Sequence, residues 1–442
     1  MQKTENTFGS TKVSRRDFGL GIARLGIAGV VAKTTPCLVE SKSAAIGAGH
    51  ENWSVNQESI GACDILIKGG TVIDPSQHLH AALDVAVKDG KILEVSRDFP
   101  EDRARRVVSA KDRIVTPGLI DLHALVFEGV ASGGVNADHY CMGRGVTTVV
   151  DTSSGYPLIA GLRKYVINTS STRIYAVVDI YAVPTIGTAP RQLGGKSVME
   201  NLEWVNPQLT AKAAEENKPA VVGISVRMEE DDTGSKDLEI LKRALEAAEA
   251  SRLPLMALID KSYSPLPDIL KMLRKGDVFS LFLNDHQHRI LDANGKILPE
   301  VWEARKRGIL FDPAQGSRHL SFDVAEKCLE QNFLPDTIST GLSNAVVNGP
   351  VFDLPAMISK FMAIGMDLDK AIELTTIKPA QVFNYGLQLG TLRPGSEADI
   401  GIFELQEGKF EFVDSGGEKR TGRQKLVSKA AICRGQLFVN ET

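Results

Sequence analysis

The 442-residue chain is 43% hydrophobic, 24% charged and 6% aromatic, with a formal net charge of −4. These proportions exclude a disordered polymer, a collagen-like fibre, a disulfide-stapled miniprotein and a nucleic-acid binder that works by bulk positive charge. What remains is a globular chain with room for two or three domains, or for one large α/β barrel carrying an appendage.

At the N-terminus, Ser14-Arg15-Arg16-Asp17-Phe18 precedes an apolar run from Gly19 to Ala32 that Arg24 interrupts. The run is too short for a bilayer, which takes about 20 apolar residues, so no transmembrane span is expected. Paired arginines, Phe18 and a weak apolar core, in that order, form the pattern of a twin-arginine export signal, with small residues from Ser43 to Ala45 as the cleavage region. A basic, frayed helix is the structural alternative. The expected division is a signal over 1–45 and a linker over 46–61, with a periplasmic or extracellular destination in a bacterium.

Residues 62–117 predict short strands at Asp64–Lys68, Thr71–Ile73, Asp84–Lys88 and Lys91–Val95, with Gly69-Gly70 and Asp89-Gly90 as turns. Residues 118–387 alternate short apolar runs with helical patterns. Candidate strands there are Leu119–His123, Thr147–Asp151, Ile174–Asp179, Ala220–Val226, Leu255–Ile259, Val278–Leu281, Ile309–Asp312 and Thr337–Thr340. The clearest helix runs from Ser235 to Ser251, with Ser235 as N-cap, Leu238, Leu241, Leu245 and Ala248 on one face, and Glu239 paired with Arg243 outside. Over 388–442 the strand texture returns at Ala398–Phe403, Lys409–Val413 and Lys429–Val439, with Ser415-Gly416-Gly417 as a turn. The expected fold is α/β: a (β/α)8 TIM barrel, with a small β-sandwich built from the N- and C-terminal segments.

Cys37 is expected to leave with the signal. Cys63, Cys141, Cys328 and Cys433 are widely spaced, show no CxxC, and predict buried core thiols, although an oxidising compartment would permit a bridge if two met. In a TIM barrel the chemistry sits at the C-terminal strand ends, here His123, Asp151, Ser225, Arg227, Leu258, Leu281, Asp312 with Gln315, and Gly341.

The stretch Val115-Thr116-Pro117-Gly118-Leu119-Ile120-Asp121-Leu122-His123 resembles the first barrel strand of the amidohydrolase superfamily. Asp64–Asp74 and Gly390–Ile400 resemble the split sandwich of its dihydroorotase-like members. Asp336–Thr340, Val347–Pro355 and Phe410–Ser415 look like the amidohydrolase/deacetylase metallohydrolase subgroup. The resemblance implies one or two divalent metals, held by a His-x-His pair after strand one, a carboxylated lysine on strand four, histidines on strands five and six, and an aspartate on strand eight. At those positions the chain carries His123, Leu125, Ser225, Leu258, Leu281 and Gly341, and Gln315 stands where members often have another histidine. One imidazole does not hold a zinc, and leucines put hydrocarbon where charge needs solvation. The expectation is therefore a barrel without its ancestral metal site and with no cofactor; zinc returns only if the ligands are misassigned.

His123 is then a relic imidazole or a ligand contact. Ser225 and Arg227 share a strand face; Arg227 either grips a carboxylate in bidentate fashion or forms an internal salt bridge with Asp151 or Asp260. Asp285-His286-Gln287-His288 is an alternative metal constellation or a solvated loop. His78 and His80 are expected at the surface, and His139 and His319 as structural or exposed. Ser225 or Ser343 with His123 lacks a nucleophile elbow, and Ser153-Ser154-Gly155 lacks phosphate-loop spacing. The candidate pocket is His123, Asp151, Ser225, Arg227, Gln315 and Ser343. The expected function is an exported, catalytically inactive amidohydrolase homologue that binds a small molecule in the barrel mouth or a protein partner. The alternative is a hydrolase of cyclic amide, N-acyl or ester bonds. A homo-oligomer, or a structural subunit paired with an active paralogue, fits the same sequence.

Overall fold

The computed structural model describes residues 62–183, 198–383 and 388–440. The export signal, the linker, Cys37 and the barrel residues 384–387 lie outside the described residues, and everything below concerns the unit that follows Glu51.

The N-terminal strands form the antiparallel run β1 (Cys63–Asp74), β2 (Leu79–Lys88) and β3 (Lys91–Ser96). Asp89 and Gly90 sit at φ 48° and 73°, as a two-residue hairpin turn requires. Gly69-Gly70, expected as a turn, lies inside β1 as a bulge, where the register shifts between Ile67 and Gly70. Gly69 takes φ 74°, and its N–H donates to Asp84 Oδ1 at 2.8 Å. A Cβ at Gly70 would stand 2.5 Å from the Val115 side chain. The glycine pair thus serves a bulge and a close approach between strands. On the other edge of β1, β4 (Ala104–Ser109) runs parallel before the bulge and β5 (Ile114–Pro117) after it.

The barrel strands are β6 (Leu119–Ala124), β7 (Val146–Asp151), β8 (Arg173–Asp179), β9 (Val221–Met228), β10 (Leu255–Ile259), β11 (Val278–Ser280) and β12 (Leu310–Asp312), parallel and in consecutive order. The eighth expected strand, Thr337–Thr340, is not a full ladder. It closes the barrel through single bridges, Ser339 with Ala314 and Leu342 with Ala124, and through Gly341 N–H donating to His123 O at 2.8 Å. Gly341, at φ 65°, breaks the extended run, which is why pairing there stays local. Alternation along the strands sorts the core. Ile174, Ala176, Val178, Leu255, Ala257 and Ile259 face the helices, whereas Tyr175, Val177, Met256, Leu258, Val278 and Leu281 fill the barrel interior.

The expected 235–251 helix begins at Asp237 and ends at Ser251. Ser235 is not its N-cap; residues 234–236 form a preceding tight turn, and Asp237 accepts from its neighbour Leu238 N–H and from Ser264 N–H and Oγ. Leu241 and Ala248 are buried, Leu238 and Leu245 pack at the edge of the core, and Glu239 pairs with Arg243 at 3.0 Å.

After the barrel come β13 (Ile400–Val413), β14 (Lys419–Cys433) and β15 (Gln436–Val439). The two strands expected at 398–403 and 409–413 merge into the bulged β13, and the 429–439 run divides between β14 and β15. β13 pairs with β5, so one mixed sheet joins both ends of the described chain. Ile65, Val72, Val85 and Val115 share one apolar cluster with Ile400, Ile402 and Ile432. Barrel and sheet are tied by Arg173, which donates to Asp399 at 3.2 Å and to Glu397 at 3.1 Å. Cys63, Cys141, Cys328 and Cys433 are free, buried thiols.

Gly155, which bridges to Asp179 beyond β7, has backbone where a side chain would go: a Cβ would lie 2.1 Å from Tyr181 O and 2.3 Å from Ala182 O. Gly155→Ala is expected to lower stability by about 1–3 kcal/mol, measured by urea unfolding; an unchanged midpoint would show that this loop yields freely.

Candidate functional site

The C-terminal strand ends enclose a cavity of about 400 Å³. His123 and Leu125 enter it from β6, Arg227 and Glu229 from β9, Leu281 from β11, Arg318 and His319 from the loop after β12, and Gly341 and Ser343 from the closing segment.

Two hydrogen-bonded carboxylates organise its wall. Asp312, at the end of β12, accepts from Ser280 Oγ at 2.8 Å, Thr337 Oγ1 at 2.7 Å and Ser339 Oγ at 2.6 Å. Ser280 Oγ in turn lies 3.2 Å from His123 Nδ1. Burial, with the nearby charges of Arg227 and His319, pushes the His123 imidazole down to about 3, so it is neutral at ordinary pH. The second carboxylate, Asp260, receives His286 Nδ1 in a short contact and His319 Nε2 at 3.1 Å, and Arg318 Nη2 lies 3.5 Å away. Arg318 also pairs with Glu229 at 2.8 Å. Burial alone would raise Asp260, but the hydrogen bonds and charges of His319 and His286 outweigh it and hold the carboxyl below its ordinary range.

Of the six pocket residues expected from sequence, His123, Arg227 and Ser343 line the cavity. The other three do not. Asp151 is buried and turned into the loop after β7, accepting from Val126 N–H at 2.9 Å and from Ser153 N–H and Oγ at 3.0 and 2.6 Å. Ser225 is fully buried and donates to Asp179 Oδ2 at 3.2 Å. Gln315 is buried against Lys360 Nζ and lies 3.5 Å from Val413 O. The internal salt bridges suggested for Arg227 do not form, since Asp151 and Asp260 are engaged elsewhere. Among the described residues Arg227 has no ion-pair partner.

His319, expected as structural or exposed, is buried at the cavity wall. His286 and His288 do not converge on a shared ion: His286 turns to Asp260, and His288 Nδ1 lies 3.0 Å from Ser262 O. His139 is exposed, and so are His78 and His80, the latter 2.9 Å from Asp369. Sequence reading missed Ser280 and passed over the organising role of Asp260. The available signal was a polar residue at or just past the end of an apolar strand.

Comparisons with known proteins fit this architecture. The deacetylase-like composite domain family matches residues 392–438. A deacetylase of Enterococcus faecalis is 29% identical over 384 residues, covering 85% of this chain and 99% of that protein. A deacetylase of Brucella anthropi is 28% identical, covering 77% and 84%. The crystal structure of an adenine deaminase superposes with a TM-score of 0.79 at 29% identity, covering 86% of this chain and all of that one. In sequence and fold the chain is similar to members of the amidohydrolase superfamily. A dihydroorotase crystal structure, at 24% identity and a TM-score of 0.75, shares the fold.

The metal implied by that superfamily does not fit the side chains at its expected position. Leu258 and Leu281 are 1% and 2% exposed and belong to the apolar barrel interior. Ser225 is spent on Asp179, Gly341 has no side chain, and His123 has one ring nitrogen committed to Ser280. Among the described residues, no group of three or more His, Cys, Asp or Glu could hold a metal ion. Leu281 sits at φ 74°, a conformation that costs a branched apolar side chain on the order of 1–3 kcal/mol.

Asp179 supplies a pH test. Burial raises its pKa to about 7, against the opposing hydrogen bonds of Tyr181 N–H and Ser225 and the charge of Arg227. Because the folded value lies above the unfolded value of about 3.9, the protonated carboxyl's contribution is complete below pH ~4 and lost as pH climbs through the folded value. Asp179→Asn should therefore gain stability relative to the wild type between about pH 4 and pH 7, by on the order of 2–4 kcal/mol. Denaturant titrations across that range test this; a stability difference independent of pH would contradict it.

Proposed function

We propose that the barrel mouth is a small-molecule site of amidohydrolase descent that works without a divalent metal. The observation that carries this reading is hydrocarbon at ligand positions: Leu125 and Leu281 line the cavity, and Leu258 packs in the interior beneath. Ionised donors and a hydrated cation lose more solvation there than two or three weak contacts return. Elemental analysis of the dialysed full chain is expected to find zinc, manganese and nickel far below one per chain. Near-stoichiometric metal that survives dialysis would overturn the reading.

The relatives favour a second reading, hydrolysis of a carbon–nitrogen or ester bond. It is supported by similarity to deacetylases along nearly their whole length. The Asp260–His319 pair gives it a chemical basis. A carboxylate oriented on one imidazole nitrogen stabilises the imidazolium formed when such a ring takes a proton from water, and Arg227 offers positive charge to an oxyanion. Hydrolysis of 4-nitrophenyl acetate that persists in chelator and falls at least roughly tenfold in His319→Gln would support this reading over binding alone; activity abolished by chelator would refute both.

The Ser14–Phe18 pattern supports export from the cytoplasm. Arg15→Lys together with Arg16→Lys should leave the protein in the cytoplasmic fraction of a bacterium with twin-arginine transport; unchanged fractionation would count against export by this route.

A further inference from the structure

We infer that His286 is a positioning residue for His319: the two imidazoles share one carboxylate, Asp260, and His286, from the loop after β11, sets how readily His319 takes a proton in the cavity. This control rests on the hydrolytic reading above and specifies how that same site is regulated.

The shared carboxylate fixes both rings. Asp260 is 4% exposed and stays ionised, so it only accepts hydrogen bonds. Its Oδ1 faces His286 Nδ1 in a short contact, and its Oδ2 faces His319 Nε2 at 3.1 Å. Each facing nitrogen therefore carries a proton, which leaves the lone pairs of the neutral rings on His319 Nδ1 and His286 Nε2. The two residues line different hollows. His319 belongs to the wall of the barrel mouth, and its Nδ1 makes no hydrogen bond within the protein. His286 lines an outer hollow of about 500 Å³ with Leu266, Asp285 and Leu291, and its Nε2 lies 3.9 Å from Asp285 Oδ1.

One negative charge thus serves two rings whose centroids are 6.4 Å apart. Once His286 binds a proton at Nε2, its imidazolium offsets the pull of Asp260 and repels a second cation at that range. The other charges around His319 are Arg318 on its own loop, Arg227 on β9, and Glu229 and Asp232 just beyond β9. Arg318 pairs with Glu229 at 2.8 Å and reaches Asp260 at 3.5 Å, and His123 on β6 is neutral. Burial lowers His319, Asp260 pulls it back, and the charges of Arg318 and Arg227 add to the effect of burial. His286, 28% exposed, exchanges protons with solvent, whereas His319 is buried. In hydrolysis, His319 Nδ1 takes a proton from water as the water oxygen bonds to the acyl carbon, and returns it to the departing oxygen or nitrogen as that bond breaks. A neutral His286 leaves the charge of Asp260 to steady the imidazolium in between; a protonated one withdraws it.

The test uses the full chain, dialysed against chelator and carrying 15N-labelled histidine, with His319→Gln and His286→Gln identifying the two rings. Long-range 1H–15N spectra of the unaltered protein should show the Nε2–H tautomer at His319 and the Nδ1–H tautomer at His286. His286→Gln keeps an N–H for Asp260 and cannot take a proton. It should raise the midpoint of His319 protonation by roughly one pH unit, and with it the acid limb of 4-nitrophenyl acetate hydrolysis, while the rate above that limb stays within roughly twofold. His286→Lys, which keeps a positive charge beside Asp260, should leave the midpoint at or below its wild-type position. A purely structural role for His286 would move both variants alike. The tautomers of the unaltered protein decide the matter even if the variants fail to fold. An Nδ1–H tautomer at His319, or a midpoint that Gln and Lys shift equally or not at all, would overturn the inference. Tautomers and midpoints as expected without any hydrolysis of 4-nitrophenyl acetate would instead overturn the hydrolytic reading on which it rests.

Discussion

Buried carboxylates that accept hydrogen bonds from neighbouring strands are the constraint on which the barrel mouth depends. Asp121 joins β6 to the closing segment through Thr340 Oγ1 at 2.5 Å, Asp179 joins β8 to β9 through Ser225, and Asp312 gathers β11 and the closing segment. Asp260 fastens the loops after β11 and β12 to the end of β10. Each replaces water with two or more fixed donors, which is what makes a carboxyl tolerable in a low-dielectric interior. Where donors are fewer than burial demands, the charge gives way: Asp121 and Asp179 rise to about 7.

Side-chain hydrogen bonds link the strand ends around the rim, and apolar residues occupy the centre. Leu258 and Leu281 extend the interior core upward to the cavity floor. The left-handed backbone at Leu281 persists although leucine has no use for it, because Leu281 N–H donates to Asp312 O at 3.0 Å and neighbouring packing holds the turn.

Much of this was legible in the sequence. Strands such as Leu255–Ile259 and Thr147–Asp151 stand out because both faces are buried, producing short, nearly continuous apolar runs. Arg227 and Ser225 were correctly placed on one face, but strand alternation cannot say which of two inward side chains ends at the open cavity and which is enclosed by a neighbouring acid. Gly69-Gly70 misled because a diglycine at a bulge has the same local composition as one at a turn; the difference lies in Asp84 and Val115, distant partners that no local pattern shows. The eighth strand was located but overestimated, since its pairing is cut short at Gly341. Asp260 and His319 escaped notice as a pair because 59 residues separate them and only the barrel's closure brings their loops together.

The β13–β14 hairpin reaches back over the barrel. Ser415 N–H donates to Leu320 O and Asp414 Oδ2 accepts from Phe322 N–H, both at 2.9 Å, so the hairpin tip braces the loop that bears Arg318 and His319. Residues 400–433 leave the ribosome only after all the barrel strands have emerged. The nascent barrel can therefore collapse while the loop at its mouth is still unsupported, and that loop is braced only when translation delivers the hairpin.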